Sequence, residues 1–347
     1  MTQDNPLQHA LAVLAGGDSL SAEAAAAAFD VLMRGESTPA LTAALLMGLR
    51  AKGETAAEVA GAALALRRAM LRVESDQPDR LVDTCGTGGG RVGTLNLSTA
   101  AAFVVAGAGV PVAKHGNRSY TSRSGSADVL EALGVRIELG AAIAAAVLRE
   151  AGLVFLFAPS FHPAMQHVGP VRRELGVPTI MNLLGPLVNP AGVRRQVVGV
   201  ADRARAPLIA AALSRLGAAH ALVLHAAVGM DEVSPCGRTD VWEVCDGAVA
   251  EWEIEPARHG LDCDDLDGLA GGWPPENARR IERLLAGEED LAAIRCAVVL
   301  NAAAALYVSG GGWTFEESVE RATAALDDGA ALAALERLRR ASRAVSP

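Results

Sequence analysis

Residues 83–110 read DTCGTGGGRVGTLNLSTAAAFVVAGAGV, a glycine-rich run that leads into a helix start. Gly88, Gly90 and Gly93 fit the G-x-G-x-x-G spacing of a dinucleotide-binding turn. That turn also needs an acidic residue about 20 positions further on, which bonds the ribose hydroxyls. No Asp or Glu occurs from Thr84 to Ala127, and no Gly-Lys-Ser or Gly-Lys-Thr closes the run. The sequence therefore argues against both a dinucleotide turn and a nucleotide P-loop.

The same stretch is an island of positive charge in an acidic chain. The formal net charge is -9, yet the stretch contains no acid and these basic residues: Arg91, Lys114, Arg118 and Arg123. Amides of a glycine turn suit phosphate, as do the polar groups at a helix start, here Asn96, Ser98 and Thr99. These features predict a bound anion. A flexible glycine turn with an ordinary N-cap is the alternative, but it leaves the missing acids unexplained.

The segment KHGNRSYTSRSGSADVLEALG begins at Lys114, where a predicted strand ends. That is the edge at which open α/β sheets bind ligands. Lys114 is one of only two lysines in the chain, and a compact ammonium reaches a phosphate in a crowded loop better than a guanidinium does. A solvated loop would account for the polarity of the segment but not for its density or its position.

Two adjacent carboxylates, Asp231 and Glu232, follow another predicted strand in the run GMDEVSP. An isolated Asp-Glu dipeptide is usually a solvated loop. Beside a site for a polyphosphate, however, two carboxylates are unfavourable without a cation between them. Magnesium commonly bridges one or two carboxylates to substrate phosphates. The pair is therefore a candidate metal site.

The elements around these motifs predict an α/β protein with two domains. Residues 1–74 form a small α-helical domain, because Ser21, the Thr38-Pro39 pair and a Thr55/Glu58 capping box each start a helical pattern. Residues 75–347 form a larger α/β domain with a mostly parallel sheet. Its predicted strands are LVDT, VPVAKH, GLVFLFA, RQVVGVA and AHALVLH, and a hairpin turns at Asp246-Gly247.

Composition limits the classes of function. With 51% apolar residues the chain can bury a large core, but it contains no uninterrupted membrane-length apolar run and no secretory leader. The five cysteines are odd in number and show no C-x-x-C spacing, which indicates reduced thiols and a cytoplasmic location. The negative charge disfavours a general nucleic-acid binder.

The chain resembles the anthranilate phosphoribosyltransferases across essentially its whole length. The motifs that carry this resemblance are GTGG, NLST, KHGNRS with SGSADVLEALG, the run from His162 to Ala191, and GMDEVSP. The resemblance implies a fold of the nucleoside phosphorylase/phosphoribosyltransferase type, with helices from about 163–187 joining the small domain. It also implies transfer of the phosphoribosyl group from phosphoribosyl pyrophosphate to the amine of anthranilate, in tryptophan biosynthesis. A homodimer through the N-terminal helices and a requirement for Mg2+ are further implications.

The same resemblance assigns binding residues without a catalytic nucleophile or an obligatory base. Its implied anthranilate contacts are Gly86, Asn117, His162 and Arg172. Its implied metal ligands are Ser98, Asp231 and Glu232. Its implied donor contacts are Gly86, Gly89, Gly90, Thr94, Asn96, Leu97, Ser98, Thr99, Lys114, His115, Gly116, Asn117, Arg118, Ser119, Tyr120, Thr121, Ser122 and Ser126.

One position departs from the family pattern. The family usually has GTGGD, and this chain has Gly90 where that aspartate stands. The missing carboxylate is expected to alter metal handling or the hold on pyrophosphate, while a glycine-specific positive φ is the competing explanation. A pyrimidine nucleoside phosphorylase of the same fold and a non-catalytic nucleic-acid-binding relative are the alternative functions.

Overall fold

The structure is a computed structural model that describes residues 5–90, 92–119 and 123–344. In these ranges the α-helices are α1 Pro6–Ala15, α2 Ala22–Met33, α3 Pro39–Lys52, α4 Ala56–Ala69, α5 Leu97–Gly107, α6 Ser126–Ala132, α7 Ala141–Ala151, α8 Ala158–Phe161, α9 Gly169–Leu175, α10 Met181–Leu184, α11 Ala206–Arg215, α12 Pro274–Leu285, α13 Ala292–Val308, α14 Phe315–Asp327 and α15 Ala330–Ala344. The strands are β1 Val82–Gly86, β2 Val112–Gly116, β3 Leu153–Phe157, β4 Arg195–Gly199, β5 His220–Ala226, β6 Thr239–Cys245 and β7 Ala248–Ile254.

A single seven-stranded sheet in the order β3-β2-β1-β4-β5-β6-β7 organises the larger domain. Its first five strands are parallel, and the last two are antiparallel additions. The predicted class, a helical N-terminal domain with a mostly parallel α/β domain, is confirmed. Register aligns Gly86 with Gly199 and Gly199 with Leu224, so β1, β4 and β5 end at the same edge.

The antiparallel end of the sheet follows from one two-residue turn. Asp246 has φ 46° and Gly247 has φ 85°, which is the backbone twist that a tight hairpin needs. Pairing of Cys245 with Ala248 closes β6 onto β7 around this turn. The predicted Asp-Gly hairpin is therefore confirmed.

Local signals also account for the N-terminal helices. The side chains of Ser21 and Thr38 cap α2 and α3, and Thr55 and Glu58 form the reciprocal capping box of α4. These predicted helix starts are confirmed. Asn5 caps α1 in the same way, with proline at the first helical position, a signal that the sequence prediction did not use.

Alternate residues of the strands face two hydrophobic cores. In β4, Val197 belongs to the core built by α5, α13 and α15, and Val198 belongs to the core shared by α1–α4 and α11. Ile180, Met181 and Leu184 also join the second core. Arg67 of α4 donates to the carbonyl of Leu187 at 2.7 Å. These contacts link the 163–187 segment to the N-terminal helices, although the exact domain boundaries stay predictions.

Among the helices of the described ranges, none combines the length and the apolar character that a bilayer crossing requires.

Glu243 stabilises the far side of the sheet through three donors. Its carboxylate lies 2.6 Å from His220 Nε2 and accepts from Tyr307 Oη and Trp252 Nε1, each at 2.9 Å. The hydrogen bond with His220, followed by that with Tyr307, holds the pKa of Glu243 below its usual value, against burial that would raise it. The ionised carboxylate is therefore favoured by the fold.

We expect Glu243→Gln to lower the free energy of unfolding by about 2 kcal/mol near neutral pH, because three donors lose a charged acceptor. A lowered pKa means that the carboxylate stabilises the fold above its unfolded value of 4.5 and less as pH falls through its folded pKa. The difference from the parent should therefore be largest at pH 7 and shrink by pH 4 in urea denaturation. Exposed Glu251 gives the matched control, Glu251→Gln. A difference that does not change with pH would contradict the ionic role.

Candidate functional site

The site lies at the carboxyl edge of the parallel strands, where β1, β2, β4 and β5 each release a loop. The glycine loop leaves β1 at Gly86, and only its middle requires glycine for conformational reasons. Gly88 and Gly89 have φ of 69° and 84°, whereas the φ of Gly90 lies outside the left-handed region. The predicted alternative that a positive φ explains Gly90 is therefore wrong.

The acidic turn after β5 reaches back onto this loop. A Cβ on Gly90 would lie 2.6 Å from Asp231 Oδ1, and one on Gly86 would lie 3.2 Å from Asp231 Oδ2. The turn is held from the other side by Asn301 of α13, whose amide bonds both the N–H and the C=O of Val233. Asp231 is thus enclosed by glycine backbone, and its position is fixed by α13.

Glu232 caps α5. Its two carboxylate oxygens accept from the amide of Ser98 at 2.9 Å and from the hydroxyl of Thr94 at 2.8 Å. Burial and the neighbouring charge of Asp231 raise the pKa of Glu232 to about 8, against the hydrogen bonds from Thr94 and Ser98 and the charge of Lys114. Burial also raises the pKa of Asp231, although backbone amides, including that of Gly88, oppose the rise. Two adjacent carboxylates therefore lack full charge compensation here.

Lys114 is buried in the middle of β2, with 3% of its surface exposed. Its ammonium donates to the carbonyl of Thr84, lies 3.4 Å from the Thr84 hydroxyl and lies 3.2 Å from Ser98 Oγ. Burial lowers its pKa, and the charges of Asp83 and Glu232 oppose that change. Lys114 therefore supplies the positive charge at the base of the site, with its donors on protein oxygens.

Asp83, which sequence reasoning did not single out, supports Lys114 from beneath. It is fully buried and accepts from the amide of His115 at 3.1 Å and from Asn189 Nδ2 at 2.8 Å. Burial raises its pKa, while Lys114 and Asn189 lower it. An Asp within a predicted buried strand, just before the glycine loop, is the sequence signal that could have found it.

The oxygen donors fit a magnesium ion. Asp231, Glu232 and the hydroxyl of Ser98 are hard ligands, and a divalent cation would compensate the repulsion that raises the pKa of Glu232. In the part of the chain that the structure describes, no group of three or more His, Cys, Asp and Glu side chains could hold a metal by itself. A cation here needs further oxygen ligands, such as phosphate or water.

Two imidazoles lie behind this edge. His115 Nε2 and His162 Nε2 are 3.2 Å apart, and His115 Nδ1 lies 3.2 Å from the carbonyl of Gly185. His162 also hydrogen-bonds the backbone of Val188, so each ring is anchored on a main-chain group. Burial lowers the pKa of His115 to about 3 and that of His162 to about 4, so both rings are neutral at pH 7.

Arg118, predicted to contact the donor, is held by acids of α6. It donates to Asp128 at 2.9 Å and to both oxygens of Glu131, and its guanidinium lies 5.5 Å from the ring centre of Phe157. These contacts raise its pKa. The positive island seen in the sequence is therefore partly neutralised by acids that begin immediately after it, at residue 128.

Other predicted site residues differ in their burial and in their hydrogen-bond partners. Asn96 bonds Ser124 through both ends of its amide and accepts from Asn277, so it joins the two loops. Leu97 and Thr99 are buried, and Thr99 Oγ1 has no hydrogen-bond partner among the described residues. Three hydrogen bonds organise the loop after β2. Asn117 Oδ1 accepts from the Arg118 amide, the Ser119 amide donates to Asp128, and Ser126 Oγ donates to the Asn117 carbonyl. Gly116 packs against Ser126, and Arg172 lies in α9.

Some predictions fall on residues that the structure does not describe. Tyr120, Thr121 and Ser122, predicted donor contacts, and Arg91 of the positive island lie outside the described ranges. The binding roles assigned from the resemblance stay predictions, although Thr94, Ser98, Asp231 and Glu232 do come together.

Comparison with known families finds two matches that divide the chain. Residues 8–70 match the helical bundle domain of a glycosyl transferase family, and residues 78–332 match the α/β domain of such a family. The chain is also 52% identical over 337 residues to anthranilate phosphoribosyltransferase of Rubrobacter xylanophilus, covering 97% of this chain and 98% of that protein. The Azorhizobium caulinodans protein of the same name is 48% identical, covering 100% of this chain and 99% of its own length.

Solved structures agree with these matches. Anthranilate phosphoribosyltransferase from Thermus thermophilus superposes with a TM-score of 0.90 at 43% identity, covering 98% of this chain and 99% of that one. The Saccharomyces cerevisiae enzyme in complex with PRPP and Mg gives a TM-score of 0.89 at 29% identity, with 99% of each chain covered.

Gly90 offers a direct test of metal handling. We expect Gly90→Asp and Gly90→Asn to destabilise the protein by a similar amount, about 1–3 kcal/mol, because either Cβ would crowd Asp231. Only the aspartate adds a charge, so the two variants should differ in the magnesium concentration at which inorganic pyrophosphate raises Tm. Gly90→Ala controls for the added Cβ. Identical magnesium titrations for Asp, Asn and the parent would exclude position 90 from metal handling.

Proposed function

The chain belongs to the anthranilate phosphoribosyltransferase family, and on that premise we propose how its own residues serve the reaction. It transfers the phosphoribosyl group from phosphoribosyl pyrophosphate to the amine of anthranilate, giving N-(5-phosphoribosyl)anthranilate and pyrophosphate. The observation that carries the proposal is the meeting of an acidic turn, a helix N-terminus and a buried lysine beside a glycine loop.

In this proposal, phosphate oxygens of phosphoribosyl pyrophosphate accept the hydrogen bonds that the Glu232 carboxylate accepts in the structure. The amide of Ser98 and the hydroxyl of Thr94 are the donors that a phosphate at the start of α5 would seek, and both serve the Glu232 carboxylate. Entry of an anion therefore requires Glu232 to leave them or to share a cation with the anion. Lys114, 3.2 Å from Ser98 Oγ, supplies a positive charge beside this exchange.

A magnesium ion would complete the site. Asp231, Glu232 and Ser98 would hold it together with donor oxygens, and it would neutralise charge on the departing pyrophosphate. The raised pKa of Glu232, to about 8, supports a cation requirement, because burial and Asp231 disfavour the ionised carboxylate when no cation compensates it. The amides of the glycine loop add fixed dipoles to the same developing charge.

The acceptor side needs orientation more than acid–base chemistry. An aryl amine is neutral at pH 7, and the neutral imidazoles of His115 and His162 fit a site that accepts a neutral nucleophile. Arg172 matches the carboxylate of anthranilate by a bidentate pair. The nearest thiol, Cys85, is an unsuitable nucleophile because burial and Asp83 raise its pKa well above the usual value.

Assembly and location belong to the same proposal. A homodimer would form through the N-terminal helices, where Met47 of α3 and Leu64 of α4 are 36% and 39% exposed. Light scattering that detects only monomer would contradict it. A cytoplasmic location agrees with five free cysteines among the described residues.

The decisive assay is the loss of anthranilate fluorescence when the protein is mixed with phosphoribosyl pyrophosphate and magnesium. We expect loss that depends on all three components and stops with EDTA. A parallel reaction with a pyrimidine nucleoside and phosphate tests the phosphorylase alternative, which the full-length relatives do not favour. No fluorescence loss at any magnesium concentration would reject the proposed activity.

Arg172→Ala should raise KM for anthranilate about 30- to 150-fold, because a bidentate charged pair contributes on the order of 2–3 kcal/mol. KM for phosphoribosyl pyrophosphate should change little. Arg173→Ala, one position along α9, is the matched control because it removes the same charge from the same helix. A rise in the donor KM alone would assign Arg172 to the other substrate.

A further inference from the structure

Two cysteines that the proposed reaction does not use lie side by side. Cys236 follows the acidic turn, and Cys263 lies 27 residues later, yet their sulfur atoms are 3.5 Å apart. Both residues are half-buried and retain access to solvent. Their sequence separation hides the pair from any search for C-x-x-C spacing.

Backbone hydrogen bonds hold Cys236 and Cys263 next to each other. The amide of Cys263 donates to the carbonyl of Pro235 at 3.0 Å, which is the peptide group just before Cys236. The amide of Cys236 in turn donates to Ser234 Oγ at 3.0 Å. The main-chain hydrogen bond between Cys263 and Pro235 therefore holds the two cysteine-bearing segments together next to the thiols.

We propose that Cys236 and Cys263 form a reversible oxidation site that closes to an intramolecular disulfide on reaction with a low-molecular-weight disulfide. An S–S bond of about 2.0 Å requires the sulfurs to approach by about 1.5 Å, a change that side-chain rotation and small loop shifts can supply. The site is independent of the proposed transferase activity.

The exchange is balanced by the reagent. The Cys263 sulfur, as thiolate, attacks one sulfur of the small disulfide, breaks its S–S bond and releases one thiolate, which takes up a proton. Cys236 then gives up its proton, attacks the Cys263 sulfur and expels the second small thiolate. The protein loses two protons and two electrons, and the reagent gains them and leaves as two thiols.

The environment assigns these roles. Burial, the hydrogen bond with Cys263 and the nearby acids Asp264 and Asp265 raise the pKa of Cys236 to about 12. Cys236 thus keeps its proton at pH 7 and is the resolving thiol. Cys263, whose sulfur lies 3.5 Å away, is the attacking residue.

The disulfide would join the two segments that flank the acidic turn. Val233, three residues before Cys236, is anchored to Asn301 of α13. Beyond Cys263, Ala270 pairs with Thr94, whose hydroxyl bonds Glu232. Oxidation therefore should suppress local opening of both segments, and their amide hydrogen exchange should slow.

The remaining thiols differ in ways that make them controls. Cys245 is exposed at the end of β6, Cys85 is shielded by Val197 and Gln196, and Cys296 lies in α13. Cys296 is the competitor to consider, because its pKa is raised by burial and then by Cys263. A disulfide between Cys263 and Cys296 is thus the specific alternative outcome.

The test uses the full-length protein with oxidised glutathione, followed by thiol titration under denaturing conditions and peptide mapping without reduction. The thiol count of the parent should fall from five to three and return to five with dithiothreitol. Cys245→Ser should fall from four to two, whereas Cys236→Ser and Cys263→Ser should form no intramolecular disulfide. A cross-linked peptide should contain Cys236 and Cys263, and hydrogen exchange in 233–238 and 263–271 should slow at least twofold.

Three results would overturn the proposal. One is an unchanged count of five thiols. Another is a cross-link that joins Cys263 to Cys296. The third is oxidation that occurs only between chains and disappears in Cys245→Ser. Because serine is close in size to cysteine, circular dichroism and Tm of the two serine variants should match the parent, which separates lost oxidation from misfolding.

Discussion

The candidate site depends on the charge compensation of two carboxylates that cannot move apart. Asp231 and Glu232 are neighbours in sequence, and Asn301 fixes the turn that bears them. Their charges are met by different groups: glycine-loop amides for Asp231, and the α5 terminus with Lys114 for Glu232. The start of α5, strand β2 and the glycine loop therefore all contribute to one electrostatic requirement.

This requirement explains why a lysine is buried beneath the proposed phosphate site. Lys114 donates to Thr84 and lies within reach of Ser98, so its charge acts on the site through the groups that line it. Asp83, fully buried on β1, offsets the cost of enclosing that ammonium. A guanidinium is larger and planar and would not fit the same three acceptors without displacing them.

Sequence predicted those features whose cause is local. The Thr55/Glu58 capping box and the Asp246-Gly247 turn each depend on residues that are at most three positions apart. The alternation of helix and strand indicated the parallel sheet. Contacts between distant segments were not readable in this way. Glu232 capping α5, the His115–His162 pair and the capture of Arg118 by Glu131 depend on packing that brings separate loops together.

Gly90 shows how such packing changes the meaning of a residue. From sequence alone, its glycine could reflect either a missing charge or a backbone that only glycine adopts. The backbone reason applies to Gly88 and Gly89 but not to Gly90, where the constraint is the 2.6 Å approach of Asp231 to the place a Cβ would fill. Gly199 is confined by the same turn, since its Cβ would meet the backbone carbonyl of Asp231. The carboxylate of Asp231 therefore lies against the glycine loop at a place that a side chain at position 90 would fill.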